Sequence, residues 1–500
     1  MMQRRQLLQA GAAGAALGLS HLQEALALGL GGGDGFAAGV PELLPLQGLD
    51  GRDLEARDLQ IEGRLPAALR GTYYKNGPGL MSRGGQRYRH WFDGDGLVQA
   101  WRFDGGRVSH QARFVQTQKF RAESQAGRFL LPAYGTAIKP ELPITGPDSV
   151  NVANTSVLRQ GGRLYALWEG GSAYELDADS LAAKGPRVWA PELAGMPFSA
   201  HPKVEADGTL WNFGSTPGGR LALYQISPQG QVLRSTVFKV PASTTMVHDF
   251  VVTERYLVFL LAPIHLDMQA VHAGSAMLDA MSWVPADGTQ LLLVSKADFN
   301  QRRLFSMPAA MVFHFGNGWD DGKQLQLDYV EAPALPEVNV SLRAIMRGER
   351  RLHQPSTPRF LRLDLDSGRI TLQSREESVE FPVVDPRVVA QRYRHVWYPA
   401  AIDTQGRWGY DGLLHLDIES GRRQRFCFGQ DVVVEEHVLV PKPGSSKEGE
   451  GWLLGLCFDS RRQRSFASVF DAQAISAGPL AKVWLPYWVT YGFHGKFYAA

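Results

Sequence analysis

Short runs of Val, Leu, Phe, Tyr and Trp, each closed by a turn containing Gly or Asp, follow one another along nearly the whole chain. Leu164 to Trp168, Tyr256 to Leu261, Leu291 to Ser295, Phe360 to Leu365 and Trp452 to Cys457 are examples. Runs of this length and composition predict strands joined as hairpins. The segment Leu363-Asp-Leu-Asp-Ser-Gly-Arg369 returns as Leu416-Asp-Ile-Glu-Ser-Gly-Arg422, with a fainter copy at Leu176-Asp-Ala-Asp-Ser180. Each copy predicts a strand ending in Asp, a tight Ser-Gly turn, and the next strand of the same sheet. One four-stranded sheet per roughly 50 residues is the period of a β-propeller, whose blades close around an axis and hide most of their edges. A large sandwich is the rival, but it has no need of that period. The expected fold class is therefore all-β. Helical periodicity is scarce and clearest over Asp267 to Met281, a Met-rich apolar segment expected to cap one face of the propeller.

The N-terminus breaks the pattern. Arg4 and Arg5 precede Leu7-Leu8 and a Gly/Ala-rich run from Ala10 to Leu19, and Ala25 to Ala27 supplies an A-x-A site. This is the layout of a twin-arginine export signal. The expected organisation is a twin-arginine-type signal peptide at 1–27, a linker at 28–50 and one catalytic β-propeller domain at 51–500, exported to the periplasm. No other segment has the ~18 uninterrupted apolar residues of a spanning helix. With 44% hydrophobic and 20% charged residues the chain can bury a large core. Lys plus Arg (52) nearly balance Asp plus Glu (50), so no basic field would attract nucleic acid. Cys427 and Cys457 sit in strand-like apolar runs. Two buried thiols are the simpler reading, and a disulfide between neighbouring strands is the alternative.

Candidate chemistry lies in four histidines, each in its own box: His201 in SAHPK, His248 in MVHDF, His314 in FHFGNGWD and His494 in GFHGKFY. All four fall in strand or loop segments, so only a closed fold could bring them together. Converging, they would hold a divalent metal with four neutral imidazoles and no protein charge to offset it. Spacing alone matches no short metal motif, and with 13 histidines in the chain a lone one is more often a core or surface residue.

The residues around these histidines narrow the reading. Gly71-Thr-Tyr-Tyr-Lys-Asn-Gly-Pro78, His90-Trp-Phe-Asp-Gly-Asp-Gly96, Ala153-Asn-Thr155, Ala166-Leu-Trp-Glu-Gly-Gly171, the four His boxes, Glu380-Phe-Pro382 and Glu436-His-Val-Leu-Val-Pro441 occur in order. Together they resemble the carotenoid cleavage oxygenase family from about Gly71 to the C-terminus. The resemblance implies a seven-bladed propeller, with a few helices and loops capping one face, and one non-haem Fe(2+) per chain held by His201, His248, His314 and His494. It also implies carboxylates behind three ligands, at Glu169, Glu380 and Glu436, with Glu435 open as a substitute for its neighbour. A carboxylate accepting the second imidazole N–H fixes the tautomer and ring angle of a metal-bound histidine. His90 and Asp93 read as turn residues despite their clear motif, as do Lys75, Asn76 and Pro78. Asp320 stands where many relatives have Glu, which leaves its local hydrogen bond open.

The activity implied is O2-dependent cleavage of a C=C bond in an apolar conjugated small molecule, giving two carbonyls. Carotenoids or apocarotenoids would need a long apolar tunnel with a mouth open to peripheral membrane contact. Phe129, Tyr134 and the Asp267 to Met281 segment are its candidates. A phenolic stilbene would instead need a base, for which Lys139 beside Tyr134 is available. Carotenoid-type substrates are expected, with a stilbene dioxygenase as the alternative. An isomerohydrolase acting on an ester and a non-enzymatic ligand-binding propeller also remain open. The oligomeric state is not legible.

Overall fold

The computed structural model describes residues 35–37, 39–240, 246–351 and 354–500. The expected signal peptide at 1–27 lies outside these residues. Seven antiparallel sheets follow one another around an axis, which makes the fold a seven-bladed β-propeller.

The innermost strands of blades two to five are Ser156–Gln160, Lys203–Val204, Val251–Val252 and Met311–Asp320. Blade six has His395–Ala400, continued inward by isolated bridges from Val379 and Val383. Blade seven begins on Val432–Pro441. Blade one is closed by the two chain ends. Gly495–Ala499 pairs with Gly71–Leu80, and Gln60–Gly63 completes the outer edge of blade seven against Ala481–Trp484. Closing the ring with both ends pairs edges that would otherwise be exposed.

Burial follows position in the blade. Arg107–Phe114, near the outside of blade one, alternates buried and partly exposed residues. Gly412–Asp417 in blade six is buried throughout, because both of its faces are covered by neighbouring blades. The repeated turns do what their residues predict. Asp364 Oδ1 accepts from the Ser367 amide (2.8 Å) and hydroxyl (2.7 Å), and Gly368 takes a φ of 73°. Asp417 and Gly421 repeat this in blade six, and Asp177 with Ser180 in blade two. All three turns join the last two strands of their blades.

Two expectations change, and one alternative is removed. The segment Asp267 to Met281 is helical only at α1 (Met268–His272) and in a single 3-10 turn (Leu278–Ala280). Gly274, at φ 103°, lies just beyond the end of α1, and Met281–Trp283 turns back to pair with Ile264–Leu266. The second half of the expected linker belongs to the fold. Pro41–Gln47 forms a 3-10 helix, and Leu43, Leu46 and Leu49 are buried in the core shared by blades one and seven. Finally, Cys427 and Cys457 are free, because their strands lie in different blades and each thiol packs within its own.

Candidate metal centre

Four loops and inner strands deliver the four histidines to one point on the axis. His201 and His248 stand just before the inner strands of blades three and four, and His494 just before Gly495–Ala499. His314 lies inside Met311–Asp320, where the register with the next strand shifts between Val312 and Phe315. That irregularity aims its ring at the axis instead of into the blade. Nε2 of His248 is 2.9 Å from that of His201 and 3.3 Å from that of His314, which is 3.1 Å from that of His494. The four candidate ligand atoms all lie within 4.8 Å of one another.

Three glutamates hold the outward nitrogens. His248 Nδ1–H donates to Glu169, His314 Nδ1–H to Glu380 (2.5 Å) and His494 Nδ1–H to Glu436 (2.8 Å). Glu436 also accepts from the Gly495 amide (2.6 Å), so it fixes the strand start as well as the ring. A register shift between Val434 and His437 lets two consecutive residues face inward. Glu435 uses this to accept from Gly492 N–H (2.7 Å), which leaves Glu436 as the partner of His494. His201 differs from the other three: its nearest carboxylate, Asp249, is 4.0 Å away and is bound by Lys203 at 2.8 Å.

This tautomer pattern tests whether a metal fits. An imidazole that donates Nδ1–H to a carboxylate carries a bare lone pair on Nε2. Three such lone pairs face one another within 4.8 Å, a repulsive arrangement that a cation at their centre makes favourable. At His201 and His494 protonation is an unfavourable substitute. Burial, then the other three imidazoles and Lys203, hold His201 well below the ordinary histidine range. Burial also lowers His494 to about 4 despite Glu436. Burial opposes charge on His248 too, but Glu169 outweighs it and the pKa is raised. The donor set therefore fits a divalent transition metal, and imidazole nitrogen suits iron, zinc, copper or nickel.

Sequence reading missed several supporting residues. Lys75, read as part of a turn, is fully buried behind Glu436, with Nζ 3.0 Å from the Phe493 carbonyl and 3.9 Å from the Glu436 carboxylate. Burial raises the Glu436 pKa, but His494, and after it that ammonium and the Gly495 N–H, outweigh burial and lower it to about 2. Phe381 adopts a φ of 49° and stacks on His314 at 5.0 Å. A non-glycine residue in that region beside a ligand is strain held in place by its surroundings. Other residues keep structural roles. Asp93 accepts from the Gly135 amide and the Thr136 hydroxyl, and His90 Nδ1 accepts from Phe92 N–H. Asp320 accepts from the Arg255 backbone (3.1 Å) and guanidinium (2.6 Å), so its shorter side chain still has a partner.

A cavity of about 940 Å³ opens onto the histidines. Its walls are mainly apolar and include Phe92, Met246, Phe313 and Trp408, together with Met268 and Met277 from the capping segment. Tyr134 lines it, and Phe129 and Lys139 do not. Phe129 is buried in the core, stacked on Tyr88 at 4.0 Å. Lys139 is exposed, with its chain neighbours Ile138 and Pro140 reaching the cavity in its place.

A propeller with a histidine cluster on its axis and a deep apolar chamber above it has the architecture of a metalloenzyme for an apolar substrate. The family model described as Retinal pigment epithelial membrane protein (RPE65) matches residues 51–499, and the chain belongs to that family, the carotenoid oxygenases. It is 31% identical to apocarotenoid-15,15'-oxygenase of Synechocystis sp. over 87% of this chain and 92% of that protein. It is 29% identical to isoeugenol monooxygenase of Pseudomonas putida, over 88% and 94% of the two chains. Lignostilbene-alpha,beta-dioxygenase isozyme III of Sphingomonas paucimobilis shares 27%, over 88% and 93%. The structure of cobalt-substituted Synechocystis apocarotenoid oxygenase superposes with a TM-score of 0.83 at 30% identity, covering 92% of this chain and 99% of that one.

Proposed function

We propose that this protein is a non-haem Fe(II) dioxygenase that cleaves a C=C bond of a carotenoid or apocarotenoid with O2 to give two carbonyl products. The observation that carries this is the apolar cavity of about 940 Å³ ending on His248, His314 and His494, each backed by a glutamate and clustered with His201. Ferrous iron at that point supplies open coordination positions and the electrons for O2 activation. His201, His248, His314 and His494 hold the ion, while Glu169, Glu380 and Glu436 fix the rings that face it. Phe92, Phe313 and Phe381 give the reacting double bond a flat apolar bed and keep water away from it.

The stilbene reading has support in the isoeugenol and lignostilbene relatives. It loses the base expected for a phenol, because Lys139 points to solvent. The isomerohydrolase reading would need no O2. Exposed Leu142 and Ile144, of which Ile144 lines the cavity together with Pro140, support peripheral membrane contact at the mouth. The twin-arginine layout of residues 1–27 supports export.

The test is aldehyde formation by Fe(II)-reconstituted protein given an apocarotenoid and, separately, a hydroxystilbene, with and without O2. O2-dependent aldehydes from the apocarotenoid are expected. Aldehydes from the stilbene alone would replace the substrate class, and ester turnover without O2 would replace the reaction.

A further inference from the structure

Away from the axis, a second group of histidines brings ring nitrogens together. His395 opens the inner strand of blade six, His395–Ala400, and His415 lies in the next strand, Gly412–Asp417. The register sets Trp397 opposite His415, so His395, two residues earlier, stands diagonally across on the same face. His395 Nδ1 and His415 Nε2 are 3.1 Å apart. Facing nitrogens of the axial histidines are separated by 2.9 to 3.3 Å, so the outer pair repeats their spacing. Two imidazoles bound to one ion at about 2.0–2.1 Å hold their nitrogens about 2.9 Å apart at a right angle and about 3.4 Å apart at the tetrahedral angle. The observed separation lies between these limits.

The surroundings hold both rings and leave one side open. His415 is buried and stacks on Trp397 at 4.8 Å and 10°. Gly449, at φ 73°, packs on the inner strand so closely that an added Cβ would lie 3.2 Å from the His395 ring and 3.2 Å from that of Trp397. His395 is partly exposed, which gives an ion a way in, and its backbone N–H donates to Glu448 (2.9 Å). Glu448, Asp417 and Glu419 bear on His395 as negative charges. Of the cations nearby, Arg394 is bonded to Asp417 at 2.9 and 2.6 Å, and Arg422 faces His415. A metal ligand has to be unprotonated. Burial lowers His395, and burial with His395 beside it lowers His415 to about 4, so both are neutral imidazoles at pH 7.

We infer that His395 and His415 form a second metal site, on blade six, which takes one divalent transition ion of the imidazole-binding class, Ni(2+), Cu(2+) or Zn(2+), with water completing its coordination. The ion ties the first two strands of the blade together where Glu448 and Gly449 pack on the inner one. His415 Nδ1 is buried with no partner among the described residues, so this ring lacks the carboxylate brace of His248, His314 and His494. Two ligands in place of four, one of them unbraced, make the site weaker than the axial one. The inference is independent of the reaction read at the axis.

The test dialyses untagged, full-length, Fe(II)-loaded protein against Ni(2+) and counts iron plus nickel per chain, for wild type, His395→Gln and His415→Gln. Counting total metal makes the result insensitive to exchange at the axis. Each variant is expected to hold one ion fewer than wild type. Ni(2+) should also raise the melting temperature of wild type above that of H395Q, because an ion bound only by the folded pair stabilises it. His395 is partly exposed, so H395Q without Ni(2+) should melt with wild type, which separates loss of the ion from loss of the fold. H415Q replaces a buried ring, and if it fails to fold the exposed variant decides alone. Equal metal counts in wild type and H395Q, or a hydrogen-bonded pair that takes up no nickel in wild type, would overturn the second site.

Discussion

At the scale of single residues, what distinguishes this site is that the groups behind the histidines determine what the histidines can do. Glu380 faces His314 and also accepts from the Phe381 amide, so one carboxylate fixes a ligand and a strained backbone turn together. Glu380→Ala should lower metal affinity by about 10–100-fold. Competition against a chromogenic chelator measures this directly, and unchanged affinity would contradict the role given to the carboxylate. Buried Lys75 and Glu435 form a second charge pair at 3.7 Å beside Glu436. The ammonium adds to His494 in keeping the carboxylate of Glu436 charged, against a desolvation that would otherwise favour the neutral acid.

At the scale of elements, the repeated Asp-containing turn shows one local signal used under three loads. In blade five Asp364 bonds only its own turn. In blade six Asp417 also receives two bonds from Arg394, at 2.9 and 2.6 Å. Asp417→Ala should therefore destabilise by about 2 kcal/mol and Asp364→Ala by about 1 kcal/mol. Urea denaturation of the two variants checks the order; equal losses would mean that Arg394 adds nothing. In blade two the glycine position of the turn is held by Leu181 at φ 60°. A left-handed non-glycine residue costs about 1–2 kcal/mol. Burying a leucine side chain yields about 1.5–3 kcal/mol, and Leu181 is only 1% exposed. Packing outweighs strain here, which is why this copy of the repeat is the fainter one.

At the scale of the molecule, seven blades bury many titratable groups away from the metal site. Burial, with nearby guanidinium charge, lowers His90 and His110 to about 3. Burial lowers His437 to about 4 despite the Glu435 carbonyl, and lowers His415 to about 4 with help from His395. The unfolded chain binds protons at these positions below about pH 6.5, whereas the folded chain refuses them until far lower pH. Stability is therefore full above that range and falls as acid is added. Asp93 and Asp328, raised by burial to about 6, act in the opposite direction between pH 6 and 4. Four histidines against two aspartates leave about two extra protons on the unfolded chain, a slope of about 3 kcal/mol per pH unit. Denaturant midpoints measured from pH 7 down to pH 5 should drop steeply, and a flat profile would contradict the burial of these imidazoles.

Strand runs, the blade period, the Asp-Ser-Gly turns and the His and Glu boxes were legible in the sequence because each depends on neighbours along the chain or on a motif of a few residues. The capping segment was legible as apolar but not as a broken helix, since Gly274 and the pairing of Ile264–Leu266 with Met281–Trp283 act across a gap. Lys139 and Phe129 lie near Tyr134 in sequence, but the fold sends one to solvent and the other into the core. Convergence of His201, His248, His314 and His494 on one point, the charge of Lys75 behind Glu436, and the separation of Cys427 from Cys457 were decided only by closing the ring. The physical reason is that local propensity and turn chemistry act over a few residues, whereas the position of a side chain on the propeller axis depends on the tilt and register of all seven blades at once.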